Sequence, residues 1–302
     1  MDYLKTIPLF QDYITIEEIS VESRCQNKYK VVTKDKTYFV KIEDAHYSEK
    51  DIKNTKWLYQ RCLEEGISVL PLIDVISFGD ETLWIYPFFE GETILDKDFS
   101  LDKFREYGKC VAREILKLNK IEPISSFDTV DINKHCEDRI SKIRRRLTDI
   151  EDSQYMLKIF NKDEWNELIN YYKDLCKRTK GDKVGLNHND IKLPNILIDK
   201  DDNYTLIDFG PLILTNIGYN IGYSISCFLF ENDKEKEKAC LRGFINTIDK
   251  NHELLSQFNY YLISDFINKL DMYRNDYLNN ISFIREILFN KENILSKEMY
   301  DI

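Results

Sequence analysis

The chain has 302 residues, 43% of them hydrophobic, and a formal net charge of −10. That is enough apolar material for one bilobal unit or for two domains with a core each, and the acidic balance disfavours a nucleic-acid partner, whose phosphates demand cations. No apolar run approaches a membrane span, Met1-Asp2-Tyr3-Leu4-Lys5 lacks a basic-then-apolar export signal, and the seven scattered cysteines form no Cys-x-x-Cys pair, so reduced thiols in a cytoplasm are expected.

Ile14-Thr15-Ile16 and Tyr29-Lys30-Val31-Val32 read as the first strands. The stretch from Glu17 to Lys28 that joins them contains no glycine, so any phosphate-covering role there falls to donors of Ser23, Gln26 and Asn27 and not to bare backbone. Thr37 to Glu43 is a strand whose alternation puts Tyr38, Val40 and Ile42 on one face and Phe39 and Lys41 on the other. A helix is expected from about Ser48 to Glu64, with Ile52, Trp57, Leu58 and Leu63 as its apolar face and Gly66 ending it. Leu101, Phe104, Tyr107, Val111, Ile115 and Leu118 recur at helical spacing after a Ser100 N-cap. Arg144, Arg145 and Arg146 fan around a helix axis and read as a solvated face, and Asp233 to Lys238 as an exposed helical turn or loop. His46, His135 and His252 have no ligand-like neighbours and read as surface or packing residues.

Asn187 to Gly210 reads N-H-N-D-I-K-L-P-N-I-L-I-D-K-D-D-N-Y-T-L-I-D-F-G and carries the chemistry. Ile196, Leu197 and Ile198 form one short buried strand, Tyr204 to Ile207 its partner, and Asp199 to Asn203 the polar turn. Such a hairpin brings Asn195 and Asp208 to the same edge. Transfer of a phosphoryl group from a nucleoside triphosphate needs positioning more than covalent chemistry: a carboxylate for the attacking hydroxyl's proton, and oxygen ligands for Mg²⁺. Asp190 suits the first role, Asn195 and Asp208 the second, and His188 would fix the loop beneath them. A lysine on an upstream strand should pair with the α- and β-phosphates, and Lys41 supplies it. The positions expected to carry the acid that braces this lysine from the helix hold Asn54 and Thr55, with Glu49 and Asp51 about a turn earlier, so either the helix is slid by a turn or the lysine is braced otherwise.

His188-Asn189-Asp190 with Asn195, Leu206-Ile207-Asp208-Phe209, the Phe39-Val40-Lys41 strand and Leu63-Glu64-Glu65-Gly66-Ile67-Ser68-Val69-Leu70-Pro71 together resemble the aminoglycoside phosphotransferase and choline kinase superfamily. Thr6-Ile7-Pro8-Leu9-Phe10 and Trp84 to Glu92 resemble its bacterial members, so the likeness covers nearly the whole chain. It implies an α+β, bilobal, protein-kinase-like fold: an N-terminal nucleotide-binding lobe, residues 1–89, with an antiparallel sheet plus one helix, and a mostly helical C-terminal catalytic and acceptor-binding lobe, residues 90–302. It also implies Asp190 as catalytic base, Asn195 and Asp208 as Mg²⁺ ligands, and Lys41 on the phosphates of ATP or GTP. Tyr86 to Phe89 would be the hinge, its backbone reading the purine while the rings of Tyr86, Phe88 and Phe89 help enclose it.

Two departures bear on the acceptor. Asn216 to Gly222 replaces a Gly-Asp-Pro-like turn, and Lys192 is more familiar from protein serine/threonine kinases. Against a protein kinase stand the long helical stretch between Phe89 and Asp190 and the lack of Ala-Pro-Glu after Gly210. The aromatic C-terminal third, with Phe258, Tyr260, Tyr261, Phe266, Tyr273 and Tyr277 among Asp265, Asp271 and Asp276, offers rings and carboxylates to a cation or simply helix packing. The expectation is a small-molecule kinase acting on a hydroxyl of a cationic acceptor, aminoglycoside-like first and choline, ethanolamine or another metabolite second. A non-catalytic, nucleotide-binding pseudokinase is the reading from a different class.

Overall fold

The computed structural model describes residues 2–19, 26–44, 47–124, 127, 131–179, 184–186, 188, 190–209, 214–216, 234–248, 260, 261, 263, 264, 266–268, 270 and 285. The chain divides into two compact units, Met1–Lys97 with Leu193–Leu212 and Asp98–Lys192 with Ile213–Ile302.

In the first unit, β1 (Tyr13–Glu18), β2 (Gln26–Thr33), β3 (Thr37–Glu43), β4 (Asp74–Phe78) and β5 (Glu81–Pro87) form an antiparallel sheet in the order β1-β2-β3-β5-β4. Period-two alternation sorts its faces. Tyr38, Val40 and Ile42 are buried with Val31, Leu83, Ile85 and the N-terminal Leu4, Ile7 and Phe10, which sends Phe39, Lys41 and Glu43 to the opposite face. That face meets α1 (Glu49–Glu64), whose Tyr59 ring lies 6.0 Å from that of Tyr86. Ser48 and Asp51 cap α1 reciprocally, and Gly66, at φ +64, takes the left-handed turn that ends it. The buried stripe of α1 is Asn54, Leu58, Tyr59 and Cys62; of the expected face Leu58 is buried, and Ile52 and Trp57 are half-buried. Leu63 is 43% exposed, because a stripe at four-residue spacing from Asn54 runs through Leu58 and Cys62 and leaves it on the solvent side.

A second small sheet, β6-β8-β9, joins Gly91–Thr93, Ile196–Asp199 and Tyr204–Leu206. A Cβ on Gly91 would stand 2.3 Å from the Ile198 carbonyl oxygen, so this strand pairing admits only glycine there. Leu206 also donates to Ser68 and accepts from Leu70 through its backbone. These ladders draw residues 193–212 into the first unit and move the boundary expected after residue 89 to Lys97; β6 cannot leave the sheet it completes.

The second unit contains α2 (Leu101–Leu118), α3 (Ile132–Thr148), α4 (Ile150–Ile159), α5 (Lys162–Thr179) and α6 (Lys234–Ile248), with β7 (Val184–Leu186) paired to β10 (Leu214–Asn216). Ser100 caps α2, and Phe104, Tyr107, Val111, Ile115 and Leu118 are buried as its spacing demands. The backbones of α2 and α6 approach where both lack a side chain: a Cβ on Gly108 would meet the Cys240 carbonyl oxygen at 1.8 Å, and one on Gly243 that of Arg105 at 1.8 Å. Arg144 and Arg145 are exposed, but Arg146 is 2% exposed. Its guanidinium holds both oxygens of Asp152 and lies over Tyr155, because the tight α3–α4 corner turns it inward. Tyr260, Tyr261 and Phe266 are buried packing residues, Tyr260 stacking on Tyr172 at 4.7 Å. Phe258, Asp265, Asp271, Tyr273, Asp276 and Tyr277 lie outside the described residues, as do His46, His252, Asp233, Gly210 and 217–222. Among the described residues, no helix is long and apolar enough to cross a membrane.

Candidate active site

The hairpin read from the sequence is present, with Ile196 opposite Leu206 and Ile198 opposite Tyr204. Asp199 ties its turn by accepting from the Asp201 and Asn203 backbones, and Asp202 supplies the left-handed residue at φ 64. Ile207 donates its N–H to the Asn195 carbonyl at 3.1 Å, which brings the residues flanking the hairpin side by side. Asn195 is buried, while the side chain of Asp208 is 42% exposed. Asp208 is also left-handed, at φ 61, a conformation that carries a steric cost for any side chain although Asp tolerates it better than most. The surroundings hold it there, for the next ring, Phe209, packs 5.4 Å from Tyr59 of α1.

Lys41 meets this hairpin end. Its Nζ lies 2.6 Å from Asp208 Oδ1 and 2.7 Å from Glu43 Oε1. Burial alone would lower the pKa of the Lys41 ammonium, but the Asp208 and Glu43 carboxylates outweigh it and raise it above the ordinary lysine value, so the cation persists at neutral pH. Glu43 Oε2 accepts from Trp84 Nε1 at 2.9 Å and from the Tyr47 hydroxyl at 2.8 Å. Burial first, then the contact with Glu43, pushes the Tyr47 phenol well up, and burial does the same to Tyr59 and Tyr86, so all three stay neutral.

In the second unit Asp190 is partly buried and donates its N–H to Nδ1 of the buried His188 at 3.4 Å, as a loop-fixing histidine should accept it. Lys192 Nζ lies 3.0 Å from Asp190 Oδ2, which puts a cation beside the carboxylate.

Other expected residues are placed less together. Tyr86 reaches towards α1, its hydroxyl 3.4 Å from that of Tyr59. Phe88 lies under Lys30, whose Nζ is 4.5 Å from the ring, and its N–H is spent on the Thr37 carbonyl. The Phe89 ring covers Gly91. The three rings thus have three different neighbours. Gln26 and Asn27 belong to β2, paired with Glu43 and Ile42, and residues 20–25, Ser23 among them, lie outside the described residues. Asn54 is buried, Asp51 is occupied by the helix cap, and Glu49 is exposed. Glu43 was the residue that motif reading missed. Its signal was present, because i and i+2 of a strand share a face.

This arrangement offers a fixed ammonium beside hard oxygen donors. Among the described residues no group of three or more His, Cys, Asp or Glu could hold a metal alone. One carboxylate and one amide at the hairpin edge suit Mg²⁺, which keeps waters and takes its remaining ligands from phosphates instead of an all-protein cage.

The model of the family described as "Phosphotransferase enzyme family" matches residues 17–244. No curated protein matches the sequence. Among solved structures, spectinomycin phosphotransferase APH(9)-Ia in complex with ADP and spectinomycin is similar with a TM-score of 0.61 at 16% identity, over 99% of this chain and 90% of that one. Aminoglycoside phosphotransferase APH(4)-Ia gives a TM-score of 0.64 at 13% identity, over 94% and 93%. An ethanolamine kinase of Plasmodium vivax gives 0.55 at 15% identity, over 88% and 81%.

Proposed function

We propose, from the premise that this chain belongs to the phosphotransferase enzyme family, that it transfers the γ-phosphate of ATP or GTP to a hydroxyl of a small cationic acceptor, aminoglycoside-like in the first instance. The observation that carries the reading is Lys41 held on Asp208 at 2.6 Å, at the end of the hairpin that also presents Asn195. In this reading Lys41 binds the α- and β-phosphates, and Asp208 and Asn195 hold Mg²⁺. The metal supplies charge neutralisation to the phosphates when bound. Asp190 accepts or orients the proton of the attacking hydroxyl, and Lys192, its Nζ 3.0 Å from Oδ2, holds the carboxylate in place. Phe89, whose N–H is not committed to the sheet ladder as that of Phe88 is, is the backbone donor we assign to the purine edge.

The cationic acceptor is supported by the net charge of −10 and by the similar fold of kinases crystallised with spectinomycin or hygromycin B. A phosphate-transfer screen with labelled ATP and GTP over aminoglycosides, amino alcohols, neutral sugars and a generic protein substrate tests it. Transfer to amine-bearing acceptors is expected. Ethanolamine or choline as best substrate favours the metabolite-kinase reading, protein serine refutes a small-molecule acceptor, and nucleotide binding without any transfer favours the pseudokinase.

A further inference from the structure

The phosphate-binding lysine of such a site has to be held by an acid, and α1 has none to give. Its Asp51 is locked in the helix cap, Glu49 is exposed, and the buried position is Asn54. Among the described residues the acids that Lys41 pairs with are Asp208 and Glu43. Asp208 is the more exposed of the two, 42% against 15%, and in the proposed reaction its carboxylate is shared with a metal ion. Glu43 has no such second duty. Its two oxygens divide the work: Oε1 faces Lys41, while Oε2 takes the Trp84 indole N–H and the Tyr47 hydroxyl. Trp84 stands directly across from Lys41 in the β3–β5 ladder, so its indole reaches Glu43 diagonally, and the Tyr47 ring meets the Trp84 ring edge-on at 5.2 Å. A carboxylate with two fixed donors on one oxygen cannot rotate away from the lysine on the other.

We infer that Glu43 is the positioning residue of the nucleotide site: carried on the same strand as Lys41 and clasped by Trp84 and Tyr47, it replaces a helix-borne brace. The inference rests on the phosphotransferase reading above. Its consequence is mechanical. A brace on the lysine's own strand is set by the sheet, through Glu43 and Trp84, and meets α1 only through Tyr47 beside the Ser48 cap, so displacement of the helix disturbs the lysine less than it would a helix-borne brace.

Calorimetry with MgATP and with adenosine, which lacks the phosphates, tests this on the full-length protein. Glu43→Gln should weaken MgATP binding about tenfold, the size expected for loss of a charge-assisted bond, and leave adenosine binding unchanged. In a Lys41→Met background the same substitution should cost nothing further. Trp84→Phe, which removes only the indole donor and keeps an aromatic ring, should weaken MgATP in the same direction but by less, and decides the matter should Glu43→Gln fail to fold. Wild-type affinity for MgATP in the variants that fold, an equal loss for adenosine, or a full additional loss on top of Lys41→Met would each overturn the brace. Failure of the unsubstituted protein to bind MgATP is a different result: it removes the phosphotransferase reading, and the brace with it.

Discussion

At the scale of single residues, the proposed chemistry separates into a proton acceptor and a metal-binding pair. Asp190→Asn keeps the shape of the side chain and the His188 contact but cannot take a proton, so turnover should fall by at least ~10²-fold, the low end for general base catalysis, with nucleotide affinity little changed. Steady-state kinetics on the best acceptor from the screen checks it, and near wild-type turnover rules out the assignment. Asp208→Ala should abolish Mg²⁺-dependent nucleotide binding, because it removes the full negative charge assigned to the ion and also frees Lys41 from one of its two partners. Asn195→Ala should weaken that binding less, having removed a neutral ligand. Calorimetry with and without Mg²⁺ reads the order of the two, and equal affinity in wild type and Asp208→Ala would sink it. These residues were legible because their spacing is local: a D-I-K-L-P-N run and a hairpin of eleven residues, Ile196 to Leu206, fix which side chains share an edge. Glu43 was not read, although strand periodicity pointed to it, because a motif names the residue types it already expects.

At the scale of elements, packing decides what periodicity leaves open. The α2–α6 crossing is set by Gly108 and Gly243, where carbonyl oxygens occupy the space a Cβ needs. Gly243→Ala gains about 1 kcal/mol of helix propensity but drives a methyl into the Arg105 backbone, and such overpacking costs about 1–3 kcal/mol. The net effect expected is a lower urea midpoint; a raised one means that the crossing is looser than drawn. The contact of α3 with the helical residues near 260 makes a pH prediction. His135 Nδ1 lies 3.1 Å from the Tyr260 hydroxyl and Nε2 3.4 Å from Ser264 Oγ, and burial, with Arg139 adding to it and Asp138 opposing, pushes its pKa down to about 4. Above pH ~6.5 the ring is neutral in both folded and unfolded chains. As pH falls from there towards 4 the unfolded chain takes up the proton first, so stability is lost across that window. Urea melts at several pH values should therefore show a flatter dependence between 6.5 and 4 for His135→Gln than for wild type, with the carboxylate contributions common to both. Identical slopes would show that His135 does not titrate on unfolding.

At the scale of the whole molecule, charge makes the remaining prediction. If the net charge of −10 helps draw a cationic acceptor, its affinity should fall as salt shortens the Debye length from ~10 Å towards ~3 Å, and nucleotide affinity, held by direct contacts, should change less. Michaelis constants for both substrates across that range measure it, and salt-independent values for the acceptor refute the electrostatic contribution. The sequence by itself determined the β3 faces, the span of α1, the capped start of α2, the β8–β9 hairpin and the family likeness, since each depends on residues a few positions apart and on the fixed periods of strand and helix. Tertiary structure alone decided that Lys41 pairs with Asp208 across 167 positions of chain, that Arg146 turns inward to Asp152, that Tyr86 faces Tyr59, and that residues 193–212 fold with the first unit. Apart from the Arg146 pair, which spans only the α3–α4 corner, each of these joins groups brought together only when sheets and helices close on one another. Their partners are selected by burial and charge in three dimensions, a selection on which spacing along the chain places no constraint.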